Sequence, residues 1–151
     1  MNAIHILSNR GWGETVLDVQ DERPEHCLLR VEVTNRFWRR DLDEFRQVVD
    51  DSTIVLHQVC SGRAQLERLK DGMRDWLEHR RMFQVEMSKT LPPSLTFSLE
   101  LDQNVICSPE KPVFVGRYIA EHPKIYTWGY VTDETCIRQA LSEIEAVLAG
   151  W

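Results

Sequence analysis

The chain has 151 residues, 42% of them hydrophobic, and its 18 basic against 24 acidic residues give a formal net charge of −6. This acidic balance argues against nucleic-acid binding, which depends on phosphate neutralisation by Lys and Arg. No apolar run approaches the ~20 residues of a membrane helix, and residues 1–5 lack the basic, apolar pattern of a secretory signal. We therefore expect one cytoplasmic domain, 1–151, that contacts neither nucleic acid nor membrane.

The first third of the chain predicts three strands in a meander. Residues 3–7 and 14–19 are β-prone, and the segment 9–13 between them contains two glycines, which permit a tight reversal. In residues 27–34 every second residue is apolar, as in a strand with one buried face: Cys27, Leu29, Val31 and Val33.

The central part predicts two helices and leaves one segment open. Asp41 is the expected N-cap of a first helix that continues to Val49. Residues 53–59 fit either a short strand or an extension of that helix, because a brief apolar run is ambiguous. Residues 62–81 carry an apolar stripe at helical spacing and predict a second helix, with Gly72 as a candidate break. Residues 83–87 predict a strand.

The last third predicts three strands and a closing helix. Residues 95–102 alternate between apolar and polar, and two β-rich runs follow at 113–120 and 124–131. After Thr132 and Asp133, apolar residues at 4-3-4 spacing predict an amphipathic helix. Together these elements predict an α+β fold, with an antiparallel, mostly meander sheet covered by two or three helices and the C-terminal helix packed on the sheet.

The four cysteines are dispersed, which favours free thiols. Cys60 is the strongest candidate for chemistry, because His57 lies three residues before it and a helix is expected to begin just after it. A thiolate at a helix N-terminus has a lowered pKa and can act as a nucleophile. The alternative is that Cys60 is a small buried core residue. No complete nucleophile motif surrounds it, so we assign no catalytic residue.

No metal or cofactor site is expected. The five histidines show no ligand spacing, and the Gly11 and Gly13 pair lacks the remaining residues of a phosphate-binding loop. Three tryptophans are candidates for an aromatic contact surface: Trp12, Trp128 and Trp151. Trp128 also fits packing on the sheet beside Tyr126 and Tyr130.

Acidic and aromatic residues in the segment 36–51 suggest a partner-binding surface. Carboxylates crowd the expected helix start, where the helix dipole also accounts for them, and aromatic residues alternate with arginines in 36–40. Such a cluster could also stack on single-stranded nucleic acid. We predict contact with a protein partner through six residues: Trp38, Asp41, Asp43, Glu44, Asp50 and Asp51.

Three parts of the chain, taken in order, resemble the WapI-like immunity proteins of bacterial polymorphic toxin systems. They are an aromatic residue before residues 41–45, the segment 62–66, and the alternating strand 95–102 that leads through two strands to residues 132–135 and the last helix. The long helix after Leu66 departs from that pattern. The resemblance implies a small cytoplasmic antitoxin without catalysis, which binds one cognate toxin domain, often a nuclease, and blocks its active site or holds it inactive.

These observations favour a non-catalytic protein-binding module, an immunity protein whose partner is a basic toxin domain. Charge complementarity would speed association and restrict the choice of partner. Two alternatives stay open: a small cysteine-dependent enzyme centred on Cys60 and His57, and a structural or oligomerisation module.

Overall fold

The computed structural model describes residues 2–9, 11, 13–40, 47–89, 93–100, 112–120 and 125–151, and for 36–40 and 47–52 it describes the backbone alone. Within these ranges the chain forms eight strands and two helices. In chain order they are β1 (Ala3–Leu7), β2 (Gly13–Gln20), β3 (His26–Arg40), β4 (Gln47–Gly62), α1 (Arg63–His79), β5 (Phe83–Glu86), β6 (Ser94–Glu100), β7 (Val113–Ile119), β8 (Ile125–Val131) and α2 (Glu134–Ala149).

The strands form two antiparallel sheets of four strands each, in the orders β1-β2-β3-β4 and β5-β6-β7-β8. The α+β class and the meander connections are confirmed. The prediction of a single sheet is wrong: α1 separates the fourth strand from the fifth, and no described strand pairing joins the two meanders. Alternation identifies the buried face of a strand, but it does not say which sheet the strand joins.

The first sheet contains a correction to the central helix prediction. Gln47, Val48 and Val49 belong to β4 and pair with Arg40, Arg39 and Trp38 of β3, whereas a helix was predicted to continue to Val49. Valine is β-branched and favours a strand, and pairing with a long neighbouring strand outweighs local helix signals. Residues 41–46 of that predicted helix lie outside the described residues. The strand option for residues 53–59 is confirmed.

A chain of buried hydrogen bonds joins the two sheets. The Trp128 indole N–H donates to the Thr15 hydroxyl over 3.1 Å, which donates to the Tyr130 oxygen over 2.7 Å. The Tyr130 hydroxyl donates in turn to the Ile6 carbonyl. Burial raises the pKa of the Tyr130 hydroxyl above its usual value, so that the group remains a donor. Trp128 therefore packs on the sheet, which was one of the two placements predicted for it; the other was an aromatic contact surface.

Both helices contact edge strands: α1 contacts β4 and β5, and α2 contacts β1 and also α1. α1 is not broken at Gly72; a Cβ at that position would overlap the Phe83 ring, so glycine lets β5 pack directly against the helix backbone. α2 begins as predicted, with the Asp133 side chain accepting the Cys136 N–H at 2.9 Å. Glu143 of α2 accepts the backbone N–H of His5 at 2.9 Å, which satisfies an outward-pointing group on the edge strand β1.

Candidate functional site

The first candidate site is a two-stranded extension of the β3–β4 hairpin. In the described backbone, the pairing of β2 with β3 ends at Asn35, opposite Gly13. Beyond that point, residues 36–40 pair with 47–51, and no third strand joins them in the described backbone. We call these ten residues the β3–β4 ribbon. It continues the hairpin past the end of the sheet that supports it.

The ribbon contains half of the predicted partner-binding residues. Trp38 lies on β3 opposite Val49, and Asp50 and Asp51 lie on β4 opposite Phe37 and Arg36. The backbone register therefore brings these predicted residues, which are separated in sequence, onto one structural element. The other three predicted residues belong to the segment that connects the two strands of the ribbon and lie outside the described residues: Asp41, Asp43 and Glu44.

The second candidate site is a cavity of about 530 Å³ near the start of β3. The β3–β4 register places Cys27 opposite Ser61 and Leu28 opposite Cys60. The turn before β3 and the segment after β5 complete the wall, so that residues from four parts of the sequence converge. The lining residues are Asp21, Arg23, His26, Cys27, Leu28, Cys60, Ser61 and Lys89.

Histidine, cysteine and cationic side chains line the cavity, but the histidine near Cys60 is His26 and not the predicted His57. Lys89 Nζ donates to His26 Nδ1 over 2.7 Å and to the Glu25 carbonyl over 3.3 Å. His57, the predicted partner of Cys60, is exposed and is not part of the lining. Among the described contacts no hydrogen bond joins His57 to Cys60. Sequence reasoning missed His26 because the residue is distant from Cys60 along the chain and becomes its neighbour only through strand pairing.

The thiols of the described cysteines are free, as predicted, and they differ in environment. Cys27 is buried, and burial, with a contribution from the carboxylate of Glu22, raises its pKa to about 11. Burial also raises the pKa of the Cys136 thiol to about 11. Cys60 is exposed, so the prediction of a buried core residue at this position is wrong.

We expect iodoacetamide to label Cys60 well before Cys27 and Cys136 at neutral pH. The thiolate is the reactive form, and the raised pKa values keep the two protected thiols protonated until the pH approaches about 11. Peptide mapping by mass spectrometry after timed alkylation of the native protein checks this order. Labelling of Cys27 as fast as Cys60 would contradict the described burial, and labelling of Cys60 no faster than a free model thiol would count against an activated nucleophile.

Other predicted features have simpler placements. Trp128 is 3% exposed, so it is not part of a contact surface. Trp151 is half-buried and donates its indole N–H to the Arg23 carbonyl over 2.5 Å, and Trp12 lies outside the described residues. In the described part of the chain, no group of three or more His, Cys, Asp or Glu side chains is placed to hold a metal ion. None of the helices found there has the length and apolar character needed to cross a membrane.

Comparisons of the chain with protein-family models, curated proteins and solved structures give no match.

Proposed function

We propose that this protein acts by binding another protein, as an immunity protein that neutralises a cognate toxin domain in the cytoplasm. The observation that carries the proposal is the β3–β4 ribbon, which leaves the supporting sheet at Asn35 and continues for five residue pairs. The resemblance to WapI-like immunity proteins supports the same class of function.

A two-stranded ribbon of this kind is suited to binding a partner protein, because no further strand of the described backbone lies beside it. An isolated two-stranded hairpin is only marginally stable in water. The ribbon, which extends past the sheet, therefore adds little to the stability of the fold by itself, and binding to a partner would stabilise it. Since no third strand joins the ribbon in the described backbone, its outer backbone groups suit recognition by strand addition.

The residue types in and around the ribbon indicate a charged partner. Trp and Arg are enriched at binding hot spots, and the ribbon contains Trp38 with three arginines, while its second strand and the connecting segment contain the five predicted carboxylates. Complementary charge raises association rates and selects among partners. The acidic balance of the whole chain suits a basic toxin domain, such as a nuclease, whose active site the ribbon would cover.

Co-expression tests the proposal directly. The product of the adjacent upstream gene should be toxic when expressed alone, and co-expression of this protein should restore growth. The two products should also co-purify, because neutralisation is proposed to occur by binding. A neighbouring product that is harmless alone, or toxicity that persists despite soluble co-expression, would contradict the immunity function.

A second candidate function is cysteine chemistry, which the convergence of His26, Cys60 and Arg23 on one cavity favours. The Cys60→Ser variant separates the two candidates. An immunity protein that works through the ribbon should protect cells equally well with serine at this position, since the cavity and the ribbon use different residues. Loss of protection in a folded Cys60→Ser variant would favour the cysteine-dependent alternative.

A further inference from the structure

β8 is an edge strand of the second sheet, and one of its sides has no neighbouring strand in the described structure. In an antiparallel pair, residues alternate between those whose N–H and C=O both point to the partner strand and those whose groups both point away. Thr132 donates its N–H to the Pro112 carbonyl on the β7 side, and the Val131 carbonyl points the other way and accepts from Asn9. The alternation therefore directs the backbone groups of Ile125, Thr127 and Gly129 to the open side.

Among the described residues, this open edge shows none of the devices that usually prevent edge-to-edge association. Native edge strands are protected by charged side chains, proline, bulges or a covering element. β8 contains no charged residue and no proline, and its pairing with β7 runs without a register shift. Thr127 and Gly129 are exposed, and Ile125 is 54% exposed. The edge strand β1 differs from β8, because its outward-pointing His5 N–H donates to Glu143 of α2.

We propose that β8 pairs with β8 of a second copy of this chain, antiparallel across a two-fold axis at Thr127. In this register Thr127 faces its symmetry mate, and Ile125 faces Gly129 of the second copy. The three residues with outward-pointing backbone groups then form about six intermolecular hydrogen bonds. The two second sheets join into one continuous sheet of eight strands. Pairing would end at Gly129, because Asn9 occupies the next outward carbonyl, that of Val131.

Side-chain complementarity selects this register and this occupant. Residues that are directly opposite share a face, so the exposed Ile125 side chain would lie over Gly129, the one residue of β8 without a side chain. Gly129 has no positive φ, but a Cβ there would be only 3.3 Å from the Phe114 carbonyl oxygen, a tight contact with the backbone of β7, so glycine also suits the pairing within this sheet. The two-fold axis repeats this contact, because Gly129 of the first copy also faces Ile125 of the second.

Charge also permits a second copy. The net charge of −6 opposes self-association in general, but no like charges meet along β8. Among the strand residues described, Arg117 of β7 is the charged residue that lies directly opposite Thr127 on the same face. In the dimer the two Arg117 residues would be three strand spacings apart, about 14 Å, which exceeds the Debye length of ~8 Å at physiological salt.

The test compares two matched lysine substitutions by light scattering during size-exclusion chromatography and by sedimentation equilibrium. Thr127→Lys places two cations face to face at the axis and should raise the dimer dissociation constant about tenfold or more. Thr53→Lys, an exposed strand threonine in the first sheet, makes the same charge change and should leave it within about twofold. A monomeric wild-type protein at all concentrations, or a dimer equally weakened by both substitutions, overturns the proposal.

A cross-linking measurement keeps the proposal testable if Thr127→Lys does not fold. In a Cys60→Ser background, Thr127→Cys places two thiols opposite each other, with Cα atoms about 5.5 Å apart, within the range that a disulfide spans. Mild oxidation should give a covalent dimer for Thr127→Cys and not for Thr53→Cys. Equal cross-linking of both variants, or no dimer for Thr127→Cys, overturns the proposed register. Neither result depends on the proposed toxin partner.

Discussion

Replacing Trp128 by alanine is expected to lower the free energy of unfolding by about 3–5 kcal/mol, the usual cost of emptying the site of a large buried aromatic residue. The indole ring lies directly over Gly116, where a Cβ would overlap it. It packs edge-on to Phe97 at a centroid distance of 6.3 Å and donates to Thr15 of the other sheet. The loss would be a large share of the ~5–15 kcal/mol that stabilises a typical domain. Chemical denaturation followed by far-ultraviolet circular dichroism measures it.

The conservative variant Trp128→Phe separates packing from hydrogen bonding. Phenylalanine retains an aromatic ring over Gly116 but removes the N–H group that donates to Thr15. Thr15 can still donate to Tyr130, so we expect a smaller cost of about 1–2 kcal/mol. If alanine and phenylalanine lowered the free energy of unfolding equally, the hydrogen bond rather than the ring would dominate. If neither had an effect, Trp128 would not join the two sheets.

The sequence predicted the second sheet most completely. Apolar and polar residues alternate in 95–102, and in β6 the apolar Leu95, Phe97 and Leu99 are buried, with Ser98 buried as well. Residues 101–102 of the predicted strand lie outside the described residues. The helix start at Asp133 was predictable because capping is local. Assignment of the strands to two sheets was not, since pairing partners depend on long-range packing that periodicity does not record. The same reason explains the wrong helix over residues 47–49, where pairing with β3 outweighed the spacing of apolar residues.

For the candidate sites too, the sequence predicted which residues are of interest but not how strand pairing brings them together. Composition identified the charged and aromatic segment 36–51, but only the strand register shows that part of it forms an extension beyond Asn35. The expectation that Cys60 would have His57 as its neighbour came from sequence distance. The structure instead places Cys60 beside a cavity that His26 also lines, because β3 and β4 pair antiparallel. The open edge of β8 also depends on strand order, which the sequence alone does not provide.

The charge-reversal variant Asp43→Lys/Glu44→Lys is expected to weaken toxin binding about tenfold or more. These carboxylates lie between the two strands of the ribbon in sequence, and a charge that faces an oppositely charged partner contributes to association rate and affinity. Reversal turns attraction into repulsion at the proposed contact. Since net charge alone also affects association with a basic partner, a control with the same charge change is needed.

The matched control is Asp71→Lys/Glu78→Lys, which reverses one aspartate and one glutamate that are exposed on α1. The most direct test of the proposed protein-binding function is the dissociation constant of the complex with the proposed toxin partner, measured by titration calorimetry for the wild-type protein and both variants. We predict that the ribbon variant binds about tenfold or more weakly, while the α1 control stays within about twofold of wild type. Equal affinities for the two variants, whether both unchanged or both reduced, would contradict recognition through the ribbon.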